Sequence, residues 1–255
     1  MAEPRKIEKY GWIRQHPDAR DRPFAVEFGL DLPAHFDLLK QSPPIWNQGR
    51  EGSCTAHGSL RAYWMDRKKL GLPTFMPSRQ FQYWNSRALM STTAIDSGAT
   101  VRDAIKAIAS WGACDEALWP YDKGWAPKPS PEAYTAAAPH KAIAYEAVPQ
   151  DLYSIKSAIL QGYAVVFGFT VYSNFEGNTT SRTGMMSMPQ GGDLGGHCVA
   201  AIGWNSHNYF AIANSWSNKW GDPNFGGGGY FWMPPEYISS PNLASDFWVI
   251  KVVQP

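Results

Sequence analysis

Cys54 is the residue whose setting points most directly to chemistry. It follows Asn47-Gln48-Gly49-Arg50-Glu51-Gly52-Ser53, a glycine-flanked polar turn, and opens a stretch with helical spacing. A helix N-terminus sets partial positive charge and free N–H groups beside the sulfur, which favours the thiolate, the nucleophilic form. A thiolate nucleophile needs a proton partner. His197 fits, because Gly195-Gly196 precede it and the apolar strand it begins would place the imidazole at a cleft edge. Asn214, within Ile212-Ala213-Asn214-Ser215-Trp216, is suited to accept from the other ring N–H and fix the tautomer, with Trp216 shielding that hydrogen bond from water. Nucleophile, acid/base and orienting group are the parts of an acyl transfer.

Other candidate motifs lead nowhere. Cys54 and His57 have the spacing of a metal pair, but no second close Cys or His pair completes a tetrahedral set, so no metal is expected. The glycine run 226–229 lacks the Lys-Ser/Thr of a phosphate loop and precedes a strand. Cys114 and Cys198 read as small core residues.

The elements around these residues fall into two parts. Helical patterns run from Cys54 to Leu70, with Ser53 as cap, from Pro77 to Leu89, and from Val101 to a stop at Gly112 behind a Thr100/Asp103 capping box. A further helix is expected from Asp151 to Gln161, and strands over 164–172, 197–204, 209–216, 229–233 and 247–253. This predicts an α+β arrangement, a helical lobe (about 46–125) and an antiparallel β lobe (about 126–255) with a cleft between them. Residues 1–30 read as an extended arm outside the domain of 31–255. Proline-rich and without periodicity, the arm is expected to pack along the body, its aromatics Trp12, Phe24 and Phe28 covering part of the β lobe, in preference to entering the cleft.

With 23 Lys+Arg against 22 Asp+Glu, the chain carries no broad charge footprint, so neither nucleic acid nor a membrane is expected as a partner. Hydrophobic residues at 44% and charged residues at 18% describe a globular chain. Three cysteines are too few for a disulfide framework, and the polar segment Met1 to Tyr10 has no apolar signal segment, so reduced thiols and a cytoplasmic setting are expected.

The chain resembles the papain-like cysteine peptidases. The likeness rests on Gln48-Gly49 and Gly52-Ser53-Cys54, Gly196-His197 opening an apolar strand, and Asn214-Ser215-Trp216 with Trp220-Gly221 and Gly229-Tyr230 behind it. Cys54 precedes His197 by 143 positions and Asn214 by 160, close to the family spacing. Pro77-Ser78-Arg79, Asp96-Ser97-Gly98-Ala99 and Leu118-Trp119-Pro120-Tyr121 are similar to the intracellular bacterial and viral branch, which would place the protein in a host cytoplasm or virion if it is viral.

The resemblance implies a helical left lobe carrying Cys54 and a β-barrel-like right lobe carrying His197 and Asn214. It also implies that the Gln48 side-chain amide joins the Cys54 N–H in an oxyanion hole, and that Gly98, Ala99, Gly196 and Trp216 line the substrate site. Two departures stand out. Glu51 occupies the position of a left-lobe disulfide cysteine, and Thr55 the position after the nucleophile that is usually aromatic. The resulting expectation is a cofactor-independent thiol peptidase, endo- or exo-acting, that cleaves peptide or protein substrates through a Cys54 thioester. The alternatives are an acyltransferase or amidase on cell-wall peptides and a catalytically silent homologue; the oligomeric state stays open.

Overall fold

The computed structural model describes residues 10–253. Helices are α1 (Cys54–Lys69), α2 (Arg79–Leu89), α3 (Val101–Trp111), α4 (Pro131–Ala137), α5 (Leu152–Leu160), α6 (Asn178–Thr183) and α7 (Pro235–Ser239). Strands are β1 (Phe36–Asp37), β2 (Ala142–Ala147), β3 (Val165–Tyr172), β4 (Asp193–Trp204), β5 (Phe210–Ala213), β6 (Tyr230–Met233) and β7 (Ala244–Val253). The strands form one antiparallel sheet in the order β2-β7-β3-β4-β5-β6, with β1 paired to β4. This is the expected α+β fold with helices leading and strands following, but the sheet stays open and does not close into a barrel. Among the described residues no helix is long and apolar enough to cross a membrane.

Local chemistry sets the helix starts. Ser78 Oγ accepts from Phe81 N and the Asp151 carboxylate from Ser154 N, each satisfying an otherwise orphaned donor of the first turn. At α3, Thr100 Oγ1 accepts from Asp103 N and donates to the Asp103 carboxylate, and Gly112 ends the helix at φ 84°. Ser53 departs from expectation. Its hydroxyl pairs with the Tyr121 hydroxyl at 2.7 Å and does not cap α1.

Helix α1 is buried almost all round and lies against β4. The approach is close at Gly58, where a Cβ would come within 3.0 Å of Cys198 Sγ. Cys54, one turn earlier on the same face, is thereby seated beside the His197–Cys198 segment.

The arm departs from the sequence reading. Phe24 does pack against the body, its ring 6.2 Å from Tyr163, and Asp21 pairs with Arg102. The segment Tyr10–Ile13, however, enters the cleft: Trp12 N donates to Gly196 O, Ala99 N to Gly11 O, and Ile13 N to Ala99 O. Two mutually accommodating glycines make this possible. A Cβ on Gly11 would sit 1.8 Å from Gly52 O, and one on Gly98 2.1 Å from Gly11 O. Phe28, expected as an anchor, is exposed and stacks on Tyr153.

Candidate active site

His197 lies inside β4, opposite Phe169 of β3, and does not open the strand as its sequence context suggested. Its Nε2 is 2.8 Å from Asn214 Oδ1. Asn214 follows the last residue of β5, held by Asn214 N donating to Gly229 O, so the orienting residue sits just past the strand predicted to contain it. Its Oδ1 also accepts from Ser215 N, which identifies that atom as the acceptor and makes Nε2 the protonated ring nitrogen. Nδ1 is then the ring nitrogen that carries no proton in the neutral imidazole. Trp216 covers the pair, its ring centroid 4.9 Å from that of His197, and Trp220 braces Trp216 at 5.1 Å.

The Cys54 thiol is buried, and burial pushes its pKa up to about 11 against the pull of backbone N–H groups from Cys198, Gly11, Thr55 and Cys54 itself. The donors show where the sulfur lies: at the start of α1, next to β4, beneath the arm. Cys114 and Cys198 are also buried free thiols with raised pKa values. His57 Nδ1 is 3.0 Å from Ser53 O.

Gln48 is held at both ends of its carboxamide. Oε1 accepts from Ser215 Oγ at 2.6 Å and Nε2 donates to Glu51 O at 2.8 Å, while Gln48 N donates to Ser215 O. Sequence reasoning singled out Gln48 but missed Ser215, which ties the cysteine turn to the segment carrying Asn214.

A second connection went unseen. Both Asp96 carboxylate oxygens accept from Gly52 N at 3.1 Å, Tyr83 OH donates to Asp96, and Gly98 N donates to Tyr83 OH at 2.9 Å. Asp96 and Tyr83 thus fasten the turn before Cys54 to the Gly98–Ala99 segment without a disulfide. Glu51, where a disulfide cysteine was looked for, instead accepts from Gln80 Nε2, and burial raises its pKa. Thr55 is fully buried behind the thiol. The structure therefore gathers Cys54, His197, Asn214, Gln48 and Trp216 at one place, with Gly98, Ala99 and Gly196 along the groove that the arm fills.

The sequence pattern described as papain family cysteine protease matches residues 32–245. The chain belongs to the papain family of cysteine proteases. It is 36% identical, over 96% of its length and 87% of the relative's, to an uncharacterized peptidase C1-like protein of Acanthamoeba polyphaga mimivirus. Among solved structures it is similar to xylellain, a cysteine protease from Xylella fastidiosa, with a TM-score of 0.86, 37% identity and 96% coverage of both chains. Digestive procathepsin L 3 of Tenebrio molitor shares the fold at a TM-score of 0.73 and 18% identity, over 91% of this chain and 74% of that one. The enzyme is thus a papain-like cysteine peptidase with bacterial and viral relatives, acting on peptides or proteins.

Proposed function

We propose that this peptidase works through a Cys54 acyl-enzyme. The Cys54 thiolate attacks the scissile carbonyl after giving its proton to His197 Nδ1, and the imidazolium returns that proton to the leaving amine. Water, deprotonated by His197, then releases the acid. Asn214 keeps the imidazole oriented throughout. Gln48 Nε2 has one hydrogen engaged with Glu51 O, and the other, with the Cys54 N–H, is assigned to the developing oxyanion. The supporting observation is the 2.8 Å His197–Asn214 hydrogen bond on the strand against which the nucleophile's helix packs.

The described conformation is read as a resting form. Tyr10–Ile13 hydrogen-bonds to Gly196 and Ala99, the backbone groups assigned to substrate, and turnover on this reading requires the segment to leave. A reducing compartment fits the three free cysteines and the polar fastening by Asp96. Active-site titration with a peptidyl epoxide, alongside cleavage of fluorogenic peptide amides, tests the chemistry. Stoichiometric labelling of Cys54 with loss of turnover in Cys54→Ala and His197→Ala is expected. Unchanged turnover in either variant would overturn the assignment.

A further inference from the structure

Two thiols lie side by side beneath the arm, and the peptidase chemistry uses only one of them. Cys198 follows His197 in β4, so its side chain leaves the opposite face of the strand, the face it shares with Gly196 and with its β3 partner Gly168. That face looks onto α1: a Cβ on Gly58 would come within 3.0 Å of Cys198 Sγ and 3.2 Å of Val166 Cγ1. Cys54 stands four residues before Gly58, one turn away on the same helix face. The Cys198 backbone N–H is a donor to the Cys54 sulfur, and the thiols are near enough for charge on Cys54 to raise the pKa of Cys198. One segment covers both. Gly11 supplies a backbone N–H to the Cys54 sulfur, and the Trp12 indole takes the space beside Cys198 that a Cβ on Gly168 or Gly196 would enter. Cys114 belongs to a separate cluster with Phe81 and Trp119.

The two sulfurs differ in reactivity. Cys54 has the start of α1, several backbone N–H donors and His197 at hand, so it becomes the thiolate once the cover lifts. Burial, with Cys54 beside it, keeps Cys198 protonated. An oxidant therefore meets Cys54 first, and Cys198 is placed to react second.

We propose that Cys54 and Cys198 form a redox site for peroxides, in which Cys198 converts oxidised Cys54 into a reversible intramolecular disulfide. With hydrogen peroxide, the Cys54 thiolate attacks one oxygen, the O–O bond breaks, and hydroxide leaves a sulfenic acid on Cys54. The Cys198 sulfur then attacks the Cys54 sulfur, the S–O bond breaks, and the hydroxyl departs with the Cys198 proton as water. The sulfurs give up two electrons and the peroxide takes them. A sulfenic acid without a second thiol goes on to sulfinic acid, which thiols do not reduce. The disulfide stops that loss: turnover is silent while the bond lasts and returns when a dithiol opens it. The inference rests on Cys54 being the reactive nucleophile, as read above, and adds a partner to it.

Hydrogen peroxide is added in small excess to the full-length chain and to its Trp12→Ala form, in which the cover is loosened. Intact mass, non-reducing peptide maps and turnover are read before and after dithiothreitol. The expected product has lost two hydrogens and joins the Cys54 peptide to the Cys198 peptide, and dithiothreitol restores its turnover. Cys198→Ala should instead gain two oxygens on Cys54 and recover about tenfold less activity, whereas Cys114→Ala should behave as the parent does. An unchanged mass in Trp12→Ala, sulfinic Cys54 beside reduced Cys198 in the parent, a link to Cys114 or to a second chain, or equal recovery with and without Cys198 would overturn the proposal. The parent's peptide map needs neither a cysteine variant nor turnover. A Cys54–Cys198 link in a chain that cleaves nothing would place the failure on the peptidase reading and not on the redox pair.

Discussion

Replacing Trp12 by alanine should activate the enzyme. The indole is nearly fully buried between Gly168 and Gly196 and donates to Asp246, so its loss removes the largest anchor of the arm within the cleft. Truncation of a buried tryptophan costs about 3–5 kcal/mol. At the lower end, and with 1.4 kcal/mol per tenfold, the open fraction should rise about 100-fold, until the arm is mostly open. Global stability should fall less than a core truncation implies. Residues 21–24 remain tied by the Asp21–Arg102 pair, by Phe24 N donating to Ala147 O and by Ala147 N donating to Arg22 O, so the cost falls on local docking. The assay is initial-rate hydrolysis of a short fluorogenic peptide amide, run beside a thermal melt and hydrogen exchange at Gly11–Ile13. Greater exchange at these amides without a rise in kcat/KM would show that the segment does not compete with substrate, and the resting-state argument would fail.

Three further outcomes are expected. Alkylation of Cys54 by iodoacetamide should be slow at pH 7 in the wild type, because the covered thiol titrates at about 11 and the reactive thiolate grows tenfold per pH unit below that value; Trp12→Ala should speed it more than tenfold, read by peptide mass spectrometry with Cys114 and Cys198 as internal references. Asp96→Ala should lower kcat/KM by about 10- to 100-fold, through misplacement of Gly52 and Gly98 by as little as an ångström, with Asp96→Asn recovering part of the loss because it retains one acceptor for Gly52 N; equal rates for the three proteins would remove the carboxylate from the positioning of the site. Asp66 is buried in α1 with no hydrogen-bond partner on its carboxylate among the described residues, and burial raises its pKa to about 6, so the folded state binds the proton more tightly than the unfolded state and stability declines as pH rises from about 4 to about 6; Asp66→Asn should remove about 1–3 kcal/mol of that decline, measured by urea unfolding at pH 4 and pH 8.

The parts of the fold that could be read ahead of the structure were those with strong local signals. The i, i+3, i+4, i+7 stripe of α3 runs between a threonine cap and a glycine stop, and its bounds fell within a residue of the expected ones. The strands missed at their ends lose their signal for a physical reason. Residues 193–196 of β4 are mostly polar or glycine, so nothing local marks them as strand; pairing with Val171 and Tyr172 of β3 recruits them. β2 lies at the sheet edge and alternates weakly, and α4 and α6 are of seven and six residues, too short to show a period.

At the site the same division holds between groups whose chemistry is local and groups defined by contact. Cys54, His197 and Asn214 are conspicuous because each sits in a turn or strand context that implies its role. Asp96, Tyr83, Ser215 and Asp246 carry no such mark, since each acts on a residue distant in sequence: Asp96 on Gly52, Ser215 on Gln48, Asp246 on Trp12. The path of the arm was hidden for the same reason. Prolines at 4, 17 and 23 pointed to an extended arm packed along the body, yet an extended strand needs no helix to fill a groove. What admits it is the close approach of Gly11 to Gly52 and Gly98, together with the absence of a Cβ at Gly168 and Gly196. Glycines on separate segments must coincide in space before that passage exists. Each alone reads as an ordinary turn or strand glycine, and only the assembled cleft shows that together they make room for one tryptophan.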